Sequence, residues 1–334
     1  MRPRVYVTQP IAETAMLRLR EIAEVEANHD SSRILVRAKL IEAARRNDII
    51  LALLHDTIDR DVLAANPNLK AIASMTITPD RIDVAEATRR KIMVTNIPAV
   101  VTDATADMAF GLLLSVARRI AEGDRVVRSG VFPGSQSNHL AGTGVTGKTL
   151  GLVGFGRIGQ AMARRARGFD MRVIFADPRG FADPELQALG TQLSLEEVLG
   201  QSDFISLHPA LNDETRHMIG PRQFALMKRT AYLINTSRGP VIDDAALIKA
   251  LSDGRIAGAA LDVYANEPKI ERALLTMNNV VLTPHLGSAV RELRENMAHI
   301  VVDNIAAIAE GKVPPNLINP EVVEVAAEVV EATP

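Results

Sequence analysis

One short segment limits what this chain can fold into more than any other. Residues 149–159 read TLGLVGFGRIG, an apolar β-type run that passes directly into Gly154, Gly156 and Gly159 and then into a helical pattern. Each glycine has a separate physical reason. Gly154 permits a tight strand-to-helix turn, Gly156 removes the Cβ that would hold a pyrophosphate off the backbone, and Gly159 lets helix and strand close up. The helix start offers unbonded N–H groups and the positive end of its dipole to phosphates. Phe155, Arg157 and Ile158 complete the loop. G-x-G-x-x-G alone is weak, and a glycine turn with no ligand is the plain alternative. Here the next predicted strand runs into Asp177, 18 residues after Gly159. A carboxylate there grips a ribose diol and repels a 2′-phosphate, which points to NAD over NADP. Arg179, two residues on, softens that preference.

The same alternation of short β-branched runs and helical patterns fills the chain. Strands are predicted at 4–8, 49–53, 71–74, 93–95, 149–153, 172–176, 204–207, 232–235, 259–262 and 280–282. Helices are predicted at 11–21, 37–46, 102–129, 159–168, 195–200, 222–226 and 244–253. Such alternation makes parallel sheets covered by helices on both faces, an α/β fold. A long amphipathic helix over 102–129 and a Gly/Ser/Thr/Asn-rich loop over 130–148 interrupt the pattern and mark a domain transition. The loop is expected to be an arm or crossover, and the Val/Glu/Ala-rich tail over 320–334 is expected to fray.

With 334 residues, 47% of them apolar, the chain can build one large or two medium domains with a sizeable core. Lys+Arg of 38 against Asp+Glu of 40 gives a net charge of −2, without the basic excess that a nucleic-acid or membrane-surface binder needs. There is no cysteine, so disulfides, thiolate nucleophiles and thiolate metal sites are excluded. The N-terminal stretch enters a strand pattern without a signal-like apolar region, and no apolar run reaches the roughly 18 residues of a membrane span. The expectation is a cytoplasmic protein. His29, His55, His139, His217 and His299 show no metal-ligand spacing, and no metal is expected.

The second half places polar residues where apolar strands end. Asn235, Thr236, Ser237 and Arg238 follow one strand, Asp262 to Glu267 follow another, and Thr283, Pro284 and His285 follow a third. In an open α/β sheet, ligands bind in the crevice at the carboxyl ends of the strands. A histidine gives or takes a proton near neutral pH, and a neighbouring carboxylate favours its imidazolium and fixes its orientation. A guanidinium holds a carboxylate in a fork and polarises an adjacent carbonyl. With nicotinamide, one arginine, one carboxylate and one histidine at these three strand ends make a site for reduction of a 2-oxo acid or its reverse. Taken singly, a lone Arg, Glu or His after a strand is more often a surface ion pair or a satisfied hydrogen-bonder, and the ordered trio behind a dinucleotide loop reduces that reading.

The motifs GFGRIG at 154–159, NTSRG at 235–239, LDVYANEP at 261–268 and TPHLGS at 283–288 resemble those of the D-isomer-specific 2-hydroxyacid dehydrogenases, which include glyoxylate/hydroxypyruvate reductases. The likeness runs from about Val5 to Asn319 and its motif set is specific. It implies two doubly wound parallel-sheet domains. A Rossmann NAD-binding domain would span 101–287, and a flavodoxin-like substrate domain 1–100 with 288–334. It implies His285 as general acid/base, Glu267 as its carboxylate partner and Arg238 as a substrate binder. Around the cofactor it places Thr105, His208, Pro209, Ala210, Thr215, Thr236, Asp262 and Gly287, beside Gly154 to Gly159 and Asp177. It also implies a homodimer whose arm is the 130–148 loop, and a helix over 290–309 as an interdomain connection.

One stretch departs from the family. Where members commonly have a G-V-G substrate loop, this chain has Met75, Thr76, Ile77 and Thr78, followed by matching Asp80 and Asp83. Threonine disfavours positive φ and crowds a ligand's approach to the backbone, although its hydroxyl could add a donor. Either the substrate is altered at its head, or the loop is rearranged and still binds an ordinary 2-oxo acid. Ile77 stands where the related phosphite dehydrogenase has lysine, which disfavours that activity. His208-Pro209-Ala210 shifts the family's proline, with an expected effect on adenine packing only. The competing reading is an NAD(H)-sensing binding protein of the same fold without significant turnover, since relatives include NAD-responsive corepressors. The lack of a DNA-binding or partner-docking appendage leans toward the enzyme.

Overall fold

A computed structural model describes residues 2–181 and 183–323, so most of the tail expected to fray lies outside the described residues. The chain divides into two compact units. One comprises the described parts of Met1–Val100 and Val290–Pro334, the other Val101–Ala289.

The first unit holds five parallel strands, β1 (Arg4–Val7), β2 (Glu24–Ala27), β3 (Ile49–Ala52), β4 (Ala71–Ser74) and β5 (Met93–Thr95), in the order β2-β1-β3-β4-β5. This is the flavodoxin-like order, with its topological switch point between β1 and β3. β3 and β4 are buried at every residue, as central strands covered on both faces must be. The edge strand β2 (EVEA) was not predicted: it alternates exposed glutamates with half-buried residues and has no apolar run to announce it. Helix Glu13–Ile22 packs on Arg291–Ala309, with Thr14 Oγ1 donating to Glu295 Oε1 at 2.7 Å.

The second unit holds seven parallel strands, β6 (Thr149–Val153), β7 (Arg172–Ala176), β8 (Thr191–Gln192), β9 (Phe204–Leu207), β10 (Tyr232–Asn235), β11 (Gly258–Leu261) and β12 (Val280–Leu282). Their order is β12-β11-β10-β9-β6-β7-β8, the dinucleotide-fold order with its switch point between β6 and β9. Successive residues feed opposite faces of this sheet: Ile205, Leu233 and Ala259 join one apolar cluster, while Phe204, Ile234 and Ala260 join the other. The two-residue β8, also unpredicted, is too short to carry a periodic signal.

The helix expected to run unbroken over 102–129 is two helices, Thr102–Ala117 and Ile120–Arg128. The amide of Thr143 donates to Ala117 O at 2.8 Å, and a Cβ on Gly142 would lie 2.3 Å from that oxygen. The returning loop thus captures the carbonyl that would have continued the helix, and Arg119 turns left-handed at φ 54°. Among the described residues, no helix is long and apolar enough to cross a membrane, and no group of three or more His, Asp or Glu could hold a metal ion.

Candidate active site

The glycine loop sits at the switch point of the seven-stranded sheet. Gly154 has φ 90°, and a Cβ there would lie 2.8 Å from the His208 carbonyl, so the turn after β6 and the chain leaving β9 meet through a missing side chain. A Cβ on Gly159 would lie 2.4 Å from Gly154 O, so helix Arg157–Ala166 closes on its own strand. Gly156 is that helix's N-cap and supplies no side-chain cap, and a Cβ there would meet only the Arg179 guanidinium, at 3.8 Å.

A cavity of about 600 Å³ lies in front of this loop. Of the residues expected at the cofactor, Gly154, Gly156, Asp177, His208, Pro209, Ala210 and Thr215 line it. Thr215 Oγ1 donates to Ala210 O at 2.6 Å and fixes the wall. Leu193, Leu195 and Met218 add an apolar side that no motif announced. Phe155 turns the other way, fully buried and stacked on Phe175 with ring centroids 3.7 Å apart. Ile158 packs into the same apolar cluster and Arg157 is exposed.

The donors and acceptors suit a dinucleotide. His208 Nδ1 and Thr236 Oγ1 are buried polar atoms with no partner among the described residues, and an unpaired buried polar atom is costly unless a ligand completes it. Burial lowers the His208 imidazole to about 3, so it is neutral, with Nε2 2.9 Å from Ser206 Oγ. Asp177 is nearly buried and already fully used. It accepts from Phe155 N at 2.7 Å and from Arg179 N, Nε and Nη2 at 2.9 Å each. Burial pushes its carboxyl up, but the Arg179 and Phe155 hydrogen bonds outweigh burial and hold it below the usual range. A carboxylate has about four acceptor sites, so a ribose diol can engage Asp177 only when Arg179 moves off.

The other three residues stand at the carboxyl ends of β10, β11 and β12, which are neighbours in the sheet. After β10 the buried Asn235 folds the turn: its Oδ1 accepts from Ser237 N and Oγ at 3.0 and 2.8 Å, and its Nδ2 donates to Arg238 O at 3.0 Å. Gly239 follows, and a Cβ there would sit 1.9 Å from the Tyr264 carbonyl carbon. The chain after Arg238 is thereby pressed against the segment leading to Glu267. Tyr264 N donates to Glu267 Oε1 at 2.9 Å, and Glu267 Oε2 lies 2.9 Å from His285 Nδ1.

His285 is held in a left-handed conformation, φ 57°, which costs a non-glycine residue about 1–3 kcal/mol unless its surroundings fix it. Asp262 does so. Its carbonyl accepts from His285 N at 2.9 Å, and its carboxylate accepts from Thr283 Oγ1, Leu286 N and Gly287 N at 2.6, 2.7 and 2.8 Å. Burial of Asp262 raises its carboxyl despite these bonds. Thr105 and Gly287, both expected at the cofactor, meet here, with Thr105 Oγ1 donating to Gly287 O at 3.4 Å.

The profile describing the D-isomer specific 2-hydroxyacid dehydrogenase NAD binding domain matches residues 110–287. A glyoxylate reductase of Thermococcus litoralis is 47% identical over 326 residues, covering 96% of this chain and 98% of that protein. The chain belongs to the D-isomer specific 2-hydroxyacid dehydrogenase family. Among solved structures, the TT0316 protein of Thermus thermophilus is similar with TM-score 0.86 and 40% identity, covering 94% of this chain and 99% of that one. An NADPH-dependent glyoxylate/hydroxypyruvate reductase of Sinorhizobium meliloti is similar with TM-score 0.77 and 31% identity, covering 96% and 99%. This 2-hydroxyacid dehydrogenase is accordingly an NAD-dependent oxidoreductase built on a Rossmann fold.

Proposed function

We propose that the protein interconverts a 2-oxo acid and the matching D-2-hydroxy acid, with glyoxylate and hydroxypyruvate as the first substrates to try. The observation that carries this is the 2.9 Å His285–Glu267 pair, set at the ends of the two strands that follow that of Arg238 in the sheet. When bound, the cofactor supplies the hydride that becomes the C2–H bond of the product. Arg238 binds the substrate carboxylate and polarises the carbonyl. Because Glu267 takes Nδ1, the proton for the carbonyl oxygen leaves from Nε2 of His285, which is reprotonated from water. In the oxidative direction the same nitrogen accepts the hydroxyl proton.

In this reading residues 101–287 serve the dinucleotide, and residues 1–100 with 288–334 serve the substrate through Met75, Thr76, Ile77 and Thr78. The motif cofactor residues, Thr105, Gly154, Gly156 to Gly159, Asp177, His208 to Ala210, Thr215, Thr236, Asp262 and Gly287, keep that assignment, while Phe155 serves the site by packing behind the loop and bonding Asp177 through its amide. A homodimer and a cytoplasmic setting belong to the same reading. The first is supported by exposed apolar side chains at Val127, Val131 and Phe132.

The test is steady-state oxidation of NADH with glyoxylate, hydroxypyruvate, pyruvate and phenylpyruvate. His285→Ala is expected to lower turnover by roughly 10²–10⁴-fold while the NADH dissociation constant stays within about twofold. Parallel loss of both would remove His285 from the acid/base role. Tight NADH binding with no turnover on any 2-oxo acid would favour the sensor, which the reductase relatives otherwise make the weaker reading.

A further inference from the structure

The threonine loop of the first unit spends its polar groups in an unbalanced way. Thr76 O accepts from Ile97 N at 2.9 Å, Ile77 O from Asn96 Nδ2 at 3.1 Å, and Thr78 O from Thr76 Oγ1 at 2.7 Å. Three successive carbonyls are taken. The amides of Thr76 and Ile77, both half-buried, donate to nothing among the described residues.

The hydroxyls are used up as well. Thr76 gives its single proton to Thr78 O, so the 2.7 Å contact between Ser74 Oγ and Thr76 Oγ1 has Ser74 as donor. Thr78 Oγ1 donates to Asp80 Oδ2 at 3.1 Å. None of these residues has positive φ. The loop therefore does without the left-handed conformations that glycines provide, and its threonine hydroxyls are struts.

The struts are anchored deep in the unit. Asn304, fully buried, donates from Nδ2 to Asn96 O at 3.2 Å, and its Oδ1 accepts from Asn316 N at 3.1 Å. Asn96 N in turn donates to Asn316 O at 3.2 Å. Asn96 is thus fixed through its backbone while its side chain holds the Ile77 carbonyl.

We propose that Ser74 and Asn96 are positioning residues: they hold this loop with its carbonyls withdrawn, so that the backbone amides by which the family's loop at this place takes the substrate carboxylate, here those of Thr76 and Ile77, stay presented without glycine. Adjacent backbone N–H groups in a fixed turn form an anion receptor. This rests on the functional reading above and deepens it: the substrate keeps an ordinary carboxylate head, and the threonines replace glycine by bracing the loop instead of contacting the ligand through hydroxyls.

The experiment uses the enzyme saturated with NADH and oxalate, an unreactive carboxylate probe, in calorimetric titrations of the wild type, Ser74→Ala, Asn96→Ala and Thr76→Val. Thr76→Val is nearly isosteric at a half-buried position and remains informative where a buried change misfolds. Each variant should weaken oxalate by roughly 5- to 10-fold, the worth of one strut. KM for the 2-oxo acid should rise in parallel, with NADH affinity unchanged. Unaltered oxalate affinity in folded variants overturns the proposal, and so does an equal loss of NADH affinity. If the wild type reduces no 2-oxo acid but the variants still lose oxalate, the functional reading fails and the anion receptor stands. If the wild type turns over and the variants bind oxalate normally, only the positioning roles fail.

Discussion

At the scale of single residues, the carboxylates carry the most information, because burial and partners push them in opposite directions. Asp177 is held ionised mainly by Arg179, and a 2′-phosphate would meet that negative charge first. Asp177→Ser removes the repulsion and releases the guanidinium, which pairs well with phosphate. The ratio of kcat/KM for NADPH over NADH should rise roughly 10- to 100-fold. A ratio that does not move would show that selectivity resides elsewhere in the cavity wall. Asp56 is the opposite case. It is buried after β3, its Oδ2 accepts from Thr8 Oγ1 and from Leu53 N, and its Oδ1 has no partner among the described residues. Burial raises its carboxyl above the ordinary value, so the neutral form is the stabilising one. That contribution is fully present below about pH 4 and is lost as pH rises through the folded-state value. Asp56→Asn keeps an acceptor for both donors and does not titrate. Its Tm advantage over wild type should grow from pH 4 to pH 8, reaching roughly 2–4 °C. A difference that is flat or shrinks with pH would contradict this.

At the scale of elements, what the sequence makes legible depends on how many residues write the signal. β6, β9, β10 and β11 are buried throughout or nearly so, and each leaves a four- or five-residue stretch that is mostly apolar. β2 and β8 are edges with exposed side chains, and nothing apolar marks them. The break at Arg119 is written 23 residues downstream, at Gly142, so no local pattern in the helix announces it. The candidate site divides the same way. Gly154 and Gly159 are legible because only a missing Cβ satisfies their positions, and Gly156 is legible from its place in the G-x-G-x-x-G spacing. Arg238, Glu267 and His285 are legible as charges stranded behind apolar strands. Tyr264 N, Asn235 and the Asn96–Asn304 chain act through backbone groups or amides, whose partners are fixed only by the fold. The loop at Thr76 reads as damaged glycine chemistry until its carbonyls are seen to be occupied.

At the scale of the whole molecule, one segment is not explained by the chain's own packing. Helix Ile120–Arg128 has no buried residue, and every residue from 127 to 139 is exposed. Ile120 and Val127 lie two turns apart on one helix face, 56% and 58% exposed, and Phe132 is 84% exposed. Scattered apolar residues on a surface need no explanation, but several in one continuous exposed segment mark an interaction surface. A net charge of −2 gives little long-range repulsion between copies of the chain. In the homodimer reading proposed above, a second copy covers this surface at no cost in specificity, since a two-fold contact pairs each patch with itself. The wild type should therefore sediment at about twice the 36.1 kDa of one chain. Val127→Glu combined with Phe132→Glu replaces two exposed side chains, so the monomer fold should be retained while like charges face each other across the axis. Sedimentation of that variant should give the single-chain mass with unchanged far-ultraviolet circular dichroism. A wild type that sediments as a monomer, or a variant that remains a dimer, would exclude this segment as the interface.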